Sequence, residues 1–266
     1  MSTPLELPAS VSPFLSTYLP PASPSSSPDP LEPEETEPAS RPFVTLTYAT
    51  SLDSHLSIAP GVQTALSGPE SKALTHHLRT FHDAILIGAS TAVADDPGLN
   101  SRLPGTTLSQ QPRPIILDPT FRWQLTRESR VLRTTRDGQG LAPWVFVAKE
   151  PEAGDVRVGV LEEVGGQLVV LEQEDGKEWG WEKILAKLAE LGIKSVMVEG
   201  GARVANGLLK RGDLVDSVVV TVAPVYLGKG GVNVSPEGVV RFRDVAWCTL
   251  GRDVVMAGRV ELVEGV

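Results

Sequence analysis

Glu199-Gly200-Gly201 is the stretch where chemistry is easiest to place. Before it, Ser195 to Val198 is a short β-branched and apolar run; after it, Ala202 to Leu209 carries helix formers with apolar positions at helical spacing. Strand, glycine turn and helix start therefore follow one another, with a carboxylate at the strand's end. A helix N-terminus offers unpaired N–H groups and partial positive charge, so glycines that let an anion come close suggest phosphate binding. The same joint also arises where glycine serves packing alone, and the stretch is neither a Walker loop nor a G-x-G-x-x-G fingerprint. Arg203, in the first helical turn, stands against the helix dipole, which suggests an anionic visitor. Thr91 and Asp95 lie one helical turn apart and share a face, where they can bind an amide or ribose hydroxyls, or serve only as cap and turn residue. Arg79 and Arg102 carry the guanidinium fork that matches a phosphate. Glu199 and Asp53, each at a strand's carboxyl end, are the candidates to handle a proton or to orient ligand hydroxyl and amino groups. His76, His77 and His82 share no i, i+4 helix face and have no carboxylate triad beside them, so they read as surface or helix-end residues and no metal is expected.

The elements that must position these groups follow from periodicity. Residues 1–40 are dominated by Pro, Ser and Glu and read as a mostly disordered arm, with one cluster, Val11 to Leu19, that could dock as a short helix. The folded domain is expected over residues 41–266. Phe43 to Thr50 alternates as a strand, and Pro69 to Phe81 is an amphipathic helix with a stripe of Leu74, Leu78 and Phe81. Ala84 to Ile87 is a buried strand closed by Gly88, after which Ser90 or Thr91 caps a short helical turn to Asp95. Pro114 to Asp118, Trp144 to Ala148 and Gln167 to Leu171 continue the strands, followed by a helix at Trp181 to Leu191 and a strand at Val215 to Ala223. Alternating units of this kind give an α/β fold, a mainly parallel central sheet flanked by helices. Val239 to Leu250 and Asp253 to Val263 read as an antiparallel hairpin added at the edge.

Composition narrows the function classes. The 266 residues are 41% apolar, enough for a substantial core. A formal charge of -9 disfavours non-specific nucleic-acid binding, so any phosphate site must be a local basic pocket. The single cysteine, Cys248, excludes an intrachain disulfide and a multi-cysteine zinc site. No apolar run is long enough for a membrane span, and no signal or transit pattern opens the chain, so cytoplasm is the expected location.

Four stretches in order carry a family resemblance: ATSLD at Ala49 to Asp53, LRTFHDAILIGASTAVADDPGLNSR at Leu78 to Arg102, VMVEGGARV at Val196 to Val204, and VAPVYLGKG at Val222 to Gly230. Together they resemble the NADPH-dependent reductases of riboflavin biosynthesis, in particular the single-function fungal type, which reduces 2,5-diamino-6-ribosylamino-4(3H)-pyrimidinone 5′-phosphate to its ribitylamino form. The resemblance implies a dihydrofolate-reductase-like fold, a homodimer and NADPH as cofactor. From matching positions it implies cofactor contacts from Ala49, Thr91, Asp95 and the loop Gly200, Gly201, Ala202, Arg203, Val204, Ala205, Asn206 and Gly207. Arg79, Leu99, Arg102 and Glu199 would meet the phosphorylated ribosylaminopyrimidine. Bacterial relatives usually carry glycine after the Leu-Asp pair, where this chain has Ser54-His55. Bifunctional bacterial relatives add a zinc deaminase whose cysteine pair one cysteine cannot supply, so deamination is expected of a separate protein. Two other readings stay open at this point: a non-catalytic nucleotide- or sugar-phosphate-binding module, and a reductase of the same fold acting on a pterin.

Overall fold

A computed structural model describes residues 5–21, 40–173 and 178–262. Eleven strands and seven α-helices run along these residues. The strands are β1 (Phe43–Thr50), β2 (His55–Ser57), β3 (Ala84–Gly88), β4 (Arg113–Leu117), β5 (Trp144–Val147), β6 (Gln167–Val170), β7 (Ser195–Val198), β8 (Ser217–Val222), β9 (Val232–Asn233), β10 (Arg241–Leu250) and β11 (Asp253–Glu261). The helices are α1 (Val11–Leu15), α2 (Pro69–Arg79), α3 (Ala89–Asp95), α4 (Arg130–Arg136), α5 (Val156–Glu162), α6 (Trp181–Glu190) and α7 (Ala202–Leu209).

Nine strands form one sheet in the order β10-β11-β8-β1-β7-β3-β4-β5-β6. From β8 to β6 every pairing is parallel, while β11 joins β8, and β10 joins β11, antiparallel. This is the helix-flanked, mainly parallel sheet with a C-terminal antiparallel hairpin that the sequence predicts. Strand β7 enters late and separates β1 from β3, so the winding direction reverses there, and the carboxyl ends of these three strands mark the place where an open α/β sheet forms its ligand crevice.

Alternation along each strand divides the core. Leu46, Leu86, Ile115, Phe146 and Val198 face α6 and α7, packing on Ile184, Leu188, Ala205 and Leu208. On the other face, Ile85, Ile87, Ile116, Val145 and Val147 meet residues of α3, α4 and α5. Next to them α1 and α2 cover Met197, Val219, Val255 and Ala257 with Val11, Leu15, Leu74 and Leu78. The sequence arm thus contains the helix α1, while residues 1–4 and 22–39 lie outside those described.

Several local expectations are corrected. Phe81 falls beyond the end of α2, is 43% exposed and stacks edge-on against His77, so only Leu74 and Leu78 of the proposed stripe enter the core. Ser90 and Thr91 lie inside α3, whose N-cap is Gly88 with no capping side chain. Helices α4 and α5 and the small β2–β9 pair were absent from the periodicity reading because each is too short to show a repeat. Of the two readings of the histidines, helix-end holds and surface does not for His76, in the last turn of α2, and His82, just beyond it: each is only 4% exposed. His82 Nδ1 donates to the Leu78 carbonyl (2.7 Å) and Nε2 takes a bond from Thr45 Oγ1 (2.8 Å), so burial costs the ring no hydrogen bond.

Candidate active site

Glu199 follows β7 directly, and its amide is bonded to the Leu86 carbonyl of the neighbouring strand β3 (3.0 Å). That extension of the ladder holds the carboxylate at the crevice. Arg79, the last residue of α2, grips it with both arms, Nε to Oε1 at 2.8 Å and Nη2 to Oε2 at 2.7 Å. Nη1 of the same guanidinium donates to the Asn100 carbonyl at 2.8 Å. The pair is largely withdrawn from solvent, its side chains 11% and 19% exposed, so screening is weak and a forked geometry holds both groups in place.

The two glycines divide their work. A Cβ on Gly200 would lie 2.2 Å from Val204 Cγ1, so this residue must be glycine for the helix to fold back on the strand. A Cβ on Gly201 would meet only Thr91 Oγ1, at 3.6 Å, which leaves that side open and sets α3 opposite the start of α7. Neither α3 nor α7 has a capping side chain, so both helix starts keep backbone N–H groups for a ligand. Thr91 and Asp95 are half-buried and make no side-chain hydrogen bond among the described residues; burial raises the Asp95 carboxyl above the usual carboxylate range. Ala49 sits beside Thr221 near the carboxyl end of β1. Further along α7 the sequence candidates turn away from the crevice. Ala205 is fully buried in the core, Asn206 Oδ1 accepts from Ser235 N (2.9 Å), and Gly207 lets α7 approach Trp181. Arg203 is exposed and pairs with Glu178.

Asp53 is held by groups of its own and a neighbouring loop, apart from the Arg79–Glu199 pair. Its carboxylate accepts from Ser51 Oγ, Leu227 N (3.1 Å) and Gly228 N (2.8 Å), with His55 Nδ1 at 3.4 Å. These donors, Ser51 foremost, hold its carboxyl well below the usual range, so it stays ionised and ties the loop after β1 to the loop after β8. Ser54 beside it has φ 62°, the left-handed conformation in which glycine is easiest, so the serine carries a local cost of about 1–2 kcal/mol.

Leu99 also has positive φ, 54°, and buries its side chain among Ile85, Ile87 and Ala92, so only its backbone can face a ligand. The turn it starts leads to Arg102, whose guanidinium has no hydrogen bond or ion pair among the described residues. Burial, then the like charges of Arg130 and Arg79, lower the Arg102 pKa from its ordinary value. A cation left unpaired beside two others is the electrostatic signature of an anion site. His76 and Asn100 hold this region together; the sequence places His76 only as a surface or helix-end residue and singles out nothing at Asn100, although His76 stands one helical turn before Arg79 on the same face.

A switch-point crevice with uncapped helix starts on one side and a carboxylate–arginine group on the other is the architecture of an α/β enzyme acting on anionic ligands. The chain belongs to the RibD C-terminal domain family, whose profile matches residues 42–256. It is 41% identical over 260 residues to the 2,5-diamino-6-ribosylamino-4(3H)-pyrimidinone 5′-phosphate reductase of Debaryomyces hansenii, covering 96% of this chain and 98% of that one. The Saccharomyces cerevisiae protein of the same name is 39% identical over 249 residues, covering 93% and 94%. Among solved structures, a Saccharomyces cerevisiae riboflavin biosynthesis reductase superimposes with TM-score 0.75 at 36% identity, over 94% of this chain and 99% of that one. Acinetobacter baumannii RibD shares the fold with TM-score 0.68 at 22% identity, over 84% of this chain and 59% of that one.

Proposed function

We propose that the protein is an NADPH-dependent reductase that converts 2,5-diamino-6-ribosylamino-4(3H)-pyrimidinone 5′-phosphate to its ribitylamino form. The observation that carries this reading is the Arg79–Glu199 pair standing at the junction of two differently equipped sides of one crevice. On the first side, Ala49, Thr91, Asp95 and the first turn from Gly200 to Val204 fit an anionic dinucleotide: open backbone N–H groups suit its phosphates, and the unpartnered hydroxyl and carboxylate suit its amide or ribose hydroxyls. Ala205, Asn206 and Gly207 serve that side by fixing α7 against the sheet and Trp181. On the second side, Glu199, the Leu99 backbone and Arg102 meet the substrate, with Arg102 taking its phosphate.

The bound cofactor supplies the hydride. The chain's own residues hold the anomeric carbon of the ring-opened imine in reach and exclude other orientations. Glu199, clamped by Arg79, accepts hydrogen bonds from the substrate's amino or hydroxyl groups. The proton that completes imine reduction reaches the substrate through water beside Glu199, because Asp53 is committed to its loop.

Two further points belong to this reading. The protein acts as a homodimer, supported by β10, which among the described residues is an edge strand and where Val245 is 41% and Trp247 63% exposed. It works in the cytoplasm, supported by its single, unpaired cysteine. Among the described residues no helix is long and apolar enough to cross a membrane. Mixing protein, NADPH and the ribosylamino pyrimidine phosphate tests the function: loss of reduced cofactor with appearance of the ribitylamino product is expected. Cofactor binding without oxidation would favour a binding module instead.

A further inference from the structure

Among the described residues the Arg102 guanidinium has no hydrogen-bond or ion-pair partner, so its backbone sets where it starts. That backbone is gripped by one face of α2, on which His76 and Arg79 stand one helical turn apart. Arg79 takes the Asn100 carbonyl (2.8 Å), the Ser101 hydroxyl donates to the His76 carbonyl (2.9 Å), and the Arg102 N–H donates to His76 Nδ1 (3.1 Å). Gln111 closes the other side, accepting from Ser101 N at 2.7 Å and donating to the Ser101 carbonyl at 3.0 Å. His76 is 4% exposed and Gln111 7%, so these bonds do not compete with bulk water.

We propose that His76 is a positioning residue for recognition of the substrate's phosphate: its Nδ1 fixes the Arg102 backbone and so aims the Arg102 guanidinium at that group. The inference rests on the reading of Arg102 as the phosphate anchor. The position needs an acceptor without a proton, since a protonated ring would leave the Arg102 N–H unsatisfied and add a third cation beside Arg79 and Arg102. Burial first, then those two guanidinium groups, push His76 down to about 3, which keeps Nδ1 free to accept at any physiological pH.

The test is steady-state kinetics with the phosphorylated substrate and with the riboside lacking its phosphate. His76→Phe keeps the ring volume and removes the acceptor. It is expected to raise KM for the phosphorylated substrate about tenfold, the loss of one backbone hydrogen bond, with kcat and the KM for NADPH little changed. His76→Asn, which returns an amide oxygen near the place of Nδ1, recovers most of that affinity. In an Arg102→Ala background the His76→Phe effect disappears, because nothing is left to aim. An unchanged KM in His76→Phe, an equal rise for both substrates, or an effect that persists without Arg102 overturns the proposal. Arg102→Ala with no rise in KM for the phosphorylated substrate sinks the anchor reading instead. Should His76→Phe fail to fold, a scalar coupling between the Arg102 amide nitrogen and His76 Nδ1 in the wild-type NMR spectrum supports the contact, and its absence overturns it.

Discussion

Glu199→Gln perturbs the centre of the site while preserving its shape. The wild-type carboxylate accepts from Arg79 Nε and Nη2 at 2.8 and 2.7 Å in a region where both side chains are mostly covered. In the variant one oxygen becomes an NH2 group, so one of the two contacts sets donor against donor and the ion pair loses its negative member. A hydrogen bond to a charged group is worth about 1.5–3 kcal/mol, so the loss of one is expected to cost stability in that range. For a domain of this size, about 2–4 °C per kcal/mol places the fall in Tm at roughly 3–12 °C. Arg79 keeps its bond to the Asn100 carbonyl, so the loop should stay attached and the protein folded. Turnover should suffer more selectively: losing one charged contact that orients substrate lowers kcat by roughly 10–100-fold. Cofactor affinity should stay close to wild type, since the first turn of α7 is untouched. Thermal denaturation and steady-state kinetics on the same preparation make the check. A variant with wild-type Tm and wild-type kcat/KM would refute the role assigned to the Arg79–Glu199 pair.

Other perturbations read other parts of the structure. Burial raises the Asp95 carboxyl, so the native state binds its proton more tightly than the unfolded chain, and this group costs stability as pH rises above the ordinary carboxylate value. Asp95→Asn should therefore melt no lower than wild type at neutral pH while its KM for NADPH rises about tenfold; a lower Tm with unchanged KM contradicts this. His82 behaves in the opposite sense, because burial pushes it from the ordinary 6.5 to about 4. Below 6.5 the unfolded chain takes up the proton first, so stability is full above that pH and is lost as pH falls towards about 4. Urea midpoints should drop across this window, less steeply in His82→Gln, and a flat profile would count against the buried neutral ring. Leu15 of α1 is fully buried against Leu74 and Leu78, so Leu15→Ala should cost about 2–5 kcal/mol in urea unfolding. Wild-type stability would show that α1 is not part of the core.

What the sequence reveals depends on how local the determining contacts are. Strand β7, its glycine turn and α7 were readable because a two-residue alternation gives way to helical spacing at Glu199-Gly200-Gly201. Thr91 and Asp95 were readable as a face for the same reason. The separate duties of Gly200 and Gly201 were not, because one depends on Val204 across the turn and the other on α3. Asp53 looked like a candidate acid because its restraining donors, Leu227 and Gly228, lie far along the chain. The guanidinium of Arg79 suits a phosphate by residue type alone, and the Glu199 that fills its fork in the structure is invisible to local sequence, because the pairing exists only once β7 has inserted between β1 and β3. Nothing local distinguishes His76 from the other histidines, because its partner is the Arg102 amide, which the fold brings to it.

Isotope transfer tests the central claim most directly. The protein is incubated with NADPH deuterated at the transferable C4 position and with the ribosylamino pyrimidine phosphate, and the product is examined by NMR. Deuterium bound to C1 of the ribityl chain is the expected result, since the proposed function brings that carbon against the cofactor. Consumption of NADPH with no deuterium at that carbon, or deuterium on the pyrimidine ring, would contradict it.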